Sequence, residues 1–232
     1  MKKVLIIGPV LAEWVEIQGI LNTLHFLDKE YKIEIIDPLS NITAEMNENV
    51  FFSQWRVKLK PLIAEYHAFL GFSLGGTILQ TVFDYFENTK KPVVLFSVPS
   101  FADALLRDRL GTIIRLIKEK SVEAAIAAKN QLVFYPAVPP EYKKIVSNPI
   151  NAAFRLSFGL RCVLAMDSRS LMTKNVNYLH FIGEKSQLVN RHNVMTSSPT
   201  QLIEVPMAGM RVLTDNPEYC QMPLIQFLEE KK

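Results

Sequence analysis

The run Gly71-Phe72-Ser73-Leu74-Gly75-Gly76 carries the strongest chemical signal in the chain. A serine with glycine two residues before and after it suits a sharp, strained turn, because the missing side chains let strand, turn and helix approach closely. An apolar stretch precedes the run and a helix-forming stretch follows it. The Ser73 hydroxyl is therefore expected above a sheet edge at the start of a helix. There the Leu74 N–H points to where negative charge develops in acyl transfer, and the helix dipole favours that charge. Two other readings compete: a chance match to the pattern, and a glycine-rich turn that cradles a phosphate. The position after the third apolar run speaks against both. A dinucleotide site would place its glycines after the first run, where only Gly8 stands.

The elements that must position this serine are legible as short apolar runs alternating with helix-period segments. The runs cover residues 4–8, 32–37, 68–73, 92–98, 178–183 and 202–205, several of them apolar at nearly every position. That is the pattern of parallel strands buried on both faces. Residues 13–27 and 74–86 are long enough for crossover helices, so a doubly wound α/β sheet is expected. The interval between the fourth and fifth runs breaks this rhythm. It reads as helices over residues 102–120, 122–132 and 151–171, the last after a break at Pro139-Pro140. A structureless loop of that size is implausible, so residues 100–172 are expected to form a helical lid inserted into one domain spanning residues 1–232.

Composition narrows the function classes. The chain has 232 residues, 49% hydrophobic and 21% charged, enough for one large core. A net charge of +3, with no long basic tract, argues against nucleic acid as a partner. Cys162 and Cys220 cannot form a disulfide framework, which suits a reducing compartment. Met1-Lys2-Lys3 and the apolar residues that follow look like a signal peptide. The run breaks at Gly8-Pro9 before Glu13 and Trp14, so a buried first strand is the better reading. No apolar segment approaches the roughly 20 residues of a membrane span. A cytoplasmic protein is expected, and no residue pattern asks for a metal or cofactor.

With elbow and lid placed, the sequence resembles the α/β-hydrolase superfamily. Within it, the chain is most similar to small carboxylesterases related to pimeloyl-acyl-carrier-protein methyl ester esterase. Val4-Leu5-Ile6-Ile7-Gly8 matches the strand into the family's His-Gly oxyanion turn, and Gly71 to Gly76 match the elbow. Asp167-Ser168-Arg169 matches the end of the lid, and the segment from His180 to Val189 matches the strand and turn bearing the acid. Pro206-Met207-Ala208-Gly209-Met210, followed by Asp215-Asn216-Pro217-Glu218, matches the segment bearing the histidine. The resemblance implies a mostly parallel sheet of about six strands flanked by helices, here without the family's N-terminal hairpin. It also implies Ser73 as nucleophile and Leu74 as backbone oxyanion donor.

The departures from the family carry as much information. Ser186 stands where the triad aspartate is expected, Met210 where the histidine is expected, and Pro9 where the second oxyanion N–H is expected. Proline has no N–H, methionine cannot take a proton usefully, and a serine supplies no negative charge. A serine hydroxyl needs a neighbouring base and a group to orient it, and losing a triad member costs roughly 10⁴ to 10⁶ in rate. No histidine follows His192, so a shift in alignment cannot restore the base. His25 and His67 fall toward the far end of the sheet, His180 reads as a core or sheet-end residue, and His192 lies on the sheet flank. Glu184 is the best surviving acid. Asp103 is a relocated acid or, more simply, a helix cap.

On the lid, Arg107, Arg109, Arg115, Lys118 and Lys120 form either a solvated face or a surface for an acidic acyl carrier protein. Ile113, Ile114, Leu116, Ile117, Phe154, Leu156 and Phe158 line an acyl-sized cleft or simply pack on the sheet. Three functions remain open: a degenerate hydrolase that binds an acyl ligand or carrier-bound chain; an esterase, thioesterase or acyltransferase with unusual activation of Ser73; and a subunit that uses only its outer surface.

Overall fold

The apolar runs pair into a six-stranded sheet in the computed structural model, which describes residues 1–87, 89–139, 146–196 and 200–229. The strands are β1 (Lys2–Ile7), β2 (Tyr31–Ile36), β3 (Ala68–Phe72), β4 (Val93–Phe96), β5 (Tyr178–Gly183) and β6 (Gln201–Val205). All neighbours are parallel, in the order β2-β1-β3-β4-β5-β6. The chain winds outward from β1 to β2 and then returns to β3 on the other side. The loops after β1 and β3 therefore diverge at the C-terminal sheet edge, the crevice where open α/β sheets bind ligands.

Alternation along the strands explains why both faces are covered. In β1, Leu5 and Ile7 join one core while Val4 and Ile6 join the other. The second core is closed by α1 (Gln18–Thr23) with the turn that follows it, and by α8 (Val212–Asp215) and α9 (Pro217–Glu229). The first core is closed by α2 (Glu48–Glu65), α3 (Leu74–Gln80), α4 (Phe83–Phe86), α5 (Ala104–Glu119), α6 (Val122–Phe134) and α7 (Pro149–Ala165). Side-chain oxygens of Asn47, Asp103, Ser121 and Asn148 cap α2, α5, α6 and α7. Among the described residues, no helix is long and apolar enough to cross a membrane.

Several boundaries differ from the sequence expectation for local reasons. The helix expected over 13–27 breaks into a 3-10 turn at Trp14–Ile17, α1, and a second 3-10 turn at His25–Leu27. The Thr23 hydroxyl donates back to the Ile20 carbonyl at 2.7 Å, competing with the helical ladder at the end of α1. The helix expected over 74–86 divides into α3 and α4 in the same way. There Thr81 Oγ1 donates to Ile78 O at 2.6 Å and the Arg56 guanidinium takes the Thr81 carbonyl. The helix expected over 151–171 stops at Ala165, and Asp167 then bridges Phe101 while Ser168 N donates to Ser100 O at 2.8 Å. The helical segment thus leaves and rejoins the sheet at one point. Of the expected break at Pro139-Pro140, Pro140 lies outside the described residues.

The packing of α3 on β1 admits no side chain at Gly75, where a Cβ would collide with the Ile7 carbonyl. Gly111 in α5 has open space around its missing Cβ. Gly75→Ala is expected to destabilise the fold by about 1–3 kcal/mol or more through overpacking. Gly111→Ala should stabilise it by about 0.5–1 kcal/mol through helix propensity. Chemical denaturation of the two variants checks both signs.

Candidate functional site

Ser73 joins β3 to α3 with φ 47° and ψ −113°, a left-handed conformation that costs a non-glycine residue about 1–3 kcal/mol. Backbone bonds hold it there. Ser73 N donates to Phe96 O at 3.1 Å, and its carbonyl accepts from Thr77 N at 3.0 Å and Thr77 Oγ1 at 3.2 Å. The turn is sharp enough that a Cβ on Gly71 would strike the backbone of Gly76. Ser73 is partly exposed, and its hydroxyl has no hydrogen-bond partner among the described residues.

The end of β4 connects this turn to the segment of Met210. Ser97, the residue after the Phe96 that binds Ser73, also has a left-handed φ of 51° and is buried. Its N donates to Phe181 O at 2.8 Å and its Oγ to Met210 O at 2.9 Å. Ser73 and Met210 are thus anchored to consecutive residues, and the Met210 side chain packs half-buried against the first core. Two strained residues at one strand end mark a place where the fold over-determines its backbone. In the sequence, Ser97 has only its position near the end of the apolar run 92–98 as a signal.

The residues at the family's acid turn are committed to local structure. Ser186 Oγ accepts from Leu188 N at 3.4 Å and Val189 N at 3.1 Å, capping its own turn. Glu184 is exposed; its carboxylate accepts from Met207 N at 2.9 Å and Lys185 Nζ at 2.9 Å. The Met207 N–H first, and then the Lys185 ammonium, hold this carboxyl below the usual carboxylate range. Met207 itself has φ 59°, so Glu184 secures a strained turn, and among the described residues it makes no hydrogen bond to Ser73. At the first sheet edge, Trp14 lies over the turn before Pro9: a Cβ on Gly8 would sit 2.7 Å from Trp14 Cη2.

None of the four histidines hydrogen-bonds Ser73. His25 Nδ1 pairs with Asp28 Oδ2 at 2.8 Å in the open, and His67 Nε2 meets Leu228 O at 3.1 Å and stacks on Tyr31. His192 is exposed. His180 lies mid-strand, in register with Leu95 and through it Gly71, two strands or roughly 10 Å from the elbow. Its Nε2 accepts from Val98 N at 3.3 Å, while Nδ1 is buried without a partner among the described residues. Asp103 Oδ1 caps α5 at Leu106 N, 2.8 Å away.

Leu156 and Phe158 of α7 are fully buried, Phe158 edge-on to Phe51 at 5.4 Å, so they fill the core; Ile113 is equally buried. Ile114, Leu116, Ile117 and Phe154 stay partly accessible, and Arg107, Arg115, Lys118 and Lys120 are exposed. The end of α6 reaches the segment of Met210. The Arg211 guanidinium lies 3.9 Å from the centre of the Phe134 ring, and a Cβ on Gly209 would strike the Tyr135 carbonyl. On the buried stripe of α6, with Val122, Ala125 and Ile126, sits Lys129, only 8% exposed. Its Nζ is 3.8 Å from Glu16 Oε2, and burial pushes its pKa below the ordinary value. Sequence reasoning missed this residue, although a lysine continuing an i, i+3, i+4, i+7 apolar stripe is a usable signal.

Burial also pushes the His180 pKa down from 6.5 to about 3. The folded state keeps this ring neutral, so its contribution is fully present above 6.5 and drains away as pH falls toward 3. About 2–3 kcal/mol should be lost between pH 7 and pH 4.5 from this group alone. Melting curves across that range should show a shallower pH dependence in His180→Gln, whose amide oxygen still offers Val98 N an acceptor.

Neither a protein-family model nor a curated protein matches the sequence. Solved structures do match in shape. MGS-M2, an α/β hydrolase from a Medee basin deep-sea metagenome library, aligns with a TM-score of 0.72 and 11% identity over 100% of this chain and 90% of its own. An esterase from Exiguobacterium antarcticum aligns with a TM-score of 0.69 and 14% identity, covering 99% and 92%. MenH from S. aureus aligns with a TM-score of 0.66 and 10% identity, covering 98% and 93%. Identities this low speak for architecture alone: the chain has the α/β-hydrolase fold.

Proposed function

We propose that this chain is a degenerate hydrolase that binds an acyl-type ligand, or a carrier-bound acyl chain, over Ser73 without ordinary turnover. One observation carries the reading: no described residue hydrogen-bonds Ser73 Oγ, while Ser186 and Glu184 are committed to backbone N–H groups. Met210 offers a thioether in place of an imidazole, Ser186 caps its turn, and Glu184 is spent on Met207 and Lys185. With Pro9 at the oxyanion turn, Leu74 N–H is left as the one donor of the usual pair, and a missing donor costs about 3 kcal/mol more. Residues 100–172 act as a lid in this reading, and the accessible apolar side chains of Ile114, Ile117 and Phe154 suit an acyl chain. The exposed Arg107, Arg115, Lys118 and Lys120 suit an acidic carrier protein by charge complementarity.

A second reading is an esterase, thioesterase or acyltransferase with non-standard activation of Ser73. The strained φ of 47° favours it, because binding alone does not require a serine held in that conformation.

Intact-protein mass spectrometry after incubation with a fluorophosphonate, on wild type and Ser73→Ala, separates the two. Binding without turnover predicts no rapid adduct on the folded protein; a stoichiometric adduct lost in Ser73→Ala would install the second reading. In the same framework, Met210→His combined with Ser186→Asp should raise hydrolysis of a p-nitrophenyl ester by on the order of 10² over wild type. Met210→His alone should give less. An unchanged rate in the double variant would show that these positions do not face Ser73.

A further inference from the structure

We infer that the cavity between the chain after β1 and the start of α7 binds a neutral, polyhydroxylated ring of monosaccharide size, at a site separate from Ser73.

The cavity measures about 310 Å³, at the small end of ligand pockets, and is lined among others by Ala12, Trp14, Ser147, Asn148, Asn151 and Arg155. Ser73, Leu74 and Met210 are not among its described lining residues. The two walls are tied to each other. Ser147 N donates to Glu13 Oε1 at 2.9 Å, and Ser147 Oγ donates to the same oxygen. A Cβ on Gly159 would sit 2.9 Å from the Val10 side chain, so α7 lies directly on the chain after β1. Walls fixed in this way lower the cost of ordering a ligand between them.

Arg155 supplies the polar anchor. It is only 6% exposed, and its guanidinium donates to Leu11 O, Leu39 O and both oxygens of Asp37, at 2.9 to 3.3 Å. These bonds use the Nε proton, both Nη1 protons and one Nη2 proton. Arginine has five N–H groups, so one on Nη2 is unspent among the described residues. The planar fork turns it to the same side as Nε–H, towards Leu11 and the Ala12 that lines the cavity. A buried donor without an acceptor is costly, and a ligand oxygen there removes the cost.

The rest of the lining sets the ligand class. Asn148 Oδ1 is spent on capping α7 at Asn151 N, 3.0 Å away, which leaves its amide N–H groups for a ligand. The Asn151 side chain makes no hydrogen bond among the described residues and offers both a donor and an acceptor. Asp37 already matches the charge of Arg155, and Glu13 adds a second carboxylate to the wall. An anion would therefore meet more like charge than unlike among the described residues, and a cation would face the Arg155 N–H. A neutral ligand rich in hydroxyl oxygens answers these groups, and the half-buried Trp14 offers a surface for the apolar face of a ring. A purely aromatic ligand would use Trp14 and leave the Arg155 N–H without an acceptor.

Titrations of the full chain followed by NMR use the methyl glycosides of glucose, galactose and mannose, with methyl β-D-glucuronide as the anionic control. Wild type should bind at least one neutral glycoside, and bind methyl β-D-glucoside more tightly than the glucuronide. Asn151→Leu, which leaves the backbone N–H of the cap in place, should weaken that binding about fivefold, the worth of a neutral hydrogen bond. Trp14→Ala should weaken it about tenfold. Trp14 also covers Gly8, so Asn151→Leu decides the matter if Trp14→Ala fails to fold. Binding of no neutral glycoside by wild type overturns the polyol class. Tighter binding of the glucuronide overturns the neutral class, and unchanged glycoside binding in Asn151→Leu overturns the site. Each of these results leaves the reading at Ser73 untouched.

Discussion

The geometry of the elbow depends on how closely α3 approaches β1. The helix begins with Gly75 against the Ile7 and Gly8 carbonyls, and Gly76 against the Val98 side chain. These two contacts bring the start of the helix down onto the strand ends and leave the chain one residue, Ser73, in which to reverse. A left-handed serine is the consequence, and the close packing over-determines it. Everything that follows at the C-terminal edge is arranged around that turn: the Phe96 carbonyl that receives the Ser73 N–H, the strained Ser97 beside it, and the Met210 carbonyl that Ser97 holds.

On the proposed reading, strain and activation have come apart in this molecule. An activated serine needs strain to present the hydroxyl and a relay of base and acid to deprotonate it. The first is present in full. Glu184, Ser186 and the buried His180 accept from backbone N–H groups, of Met207, of Leu188 and Val189, and of Val98. Glu184 and Ser186 are hydrogen-bonded in ways that stabilise a turn. His180 illustrates the difference most clearly: an imidazole whose burial holds its pKa near 3 is an acceptor for Val98 N and a poor proton carrier at neutral pH.

The helices between β4 and β5 are tied to both sides of the edge. Their base closes through Ser100, Phe101, Asp167 and Ser168, with Ser168 Oγ also reaching Gln80 Oε1 at 2.9 Å on α3. Their far end meets Gly209 and Arg211, and Lys129 meets Glu16. Of the α7 residues expected at a cleft, Leu156 and Phe158 are instead core, Phe158 edge-on to Phe51 of α2, while Phe154 stays partly accessible.

The sequence by itself determined the strands, their parallel character and the elbow. Continuous apolar runs are best buried between two helix layers, and the glycines around Ser73 let strand, turn and helix approach closely enough for the sharp turn. It also placed the last histidine, His192, ahead of the segment where the resemblance expects one. Helix ends were less legible: Thr23 and Thr81 hydroxyls and the Arg56 guanidinium terminate segments whose local periodicity reads as continuous. Three decisions belonged to the tertiary structure alone. Burial set the state of His180, long-range contacts gave Glu184 and Ser186 their supporting roles, and the crossing of α6 over the sheet edge put Lys129 beside Glu16, 113 positions earlier in the chain. Charges, proton affinities and free donors are properties of an environment, and residues distant in sequence make that environment.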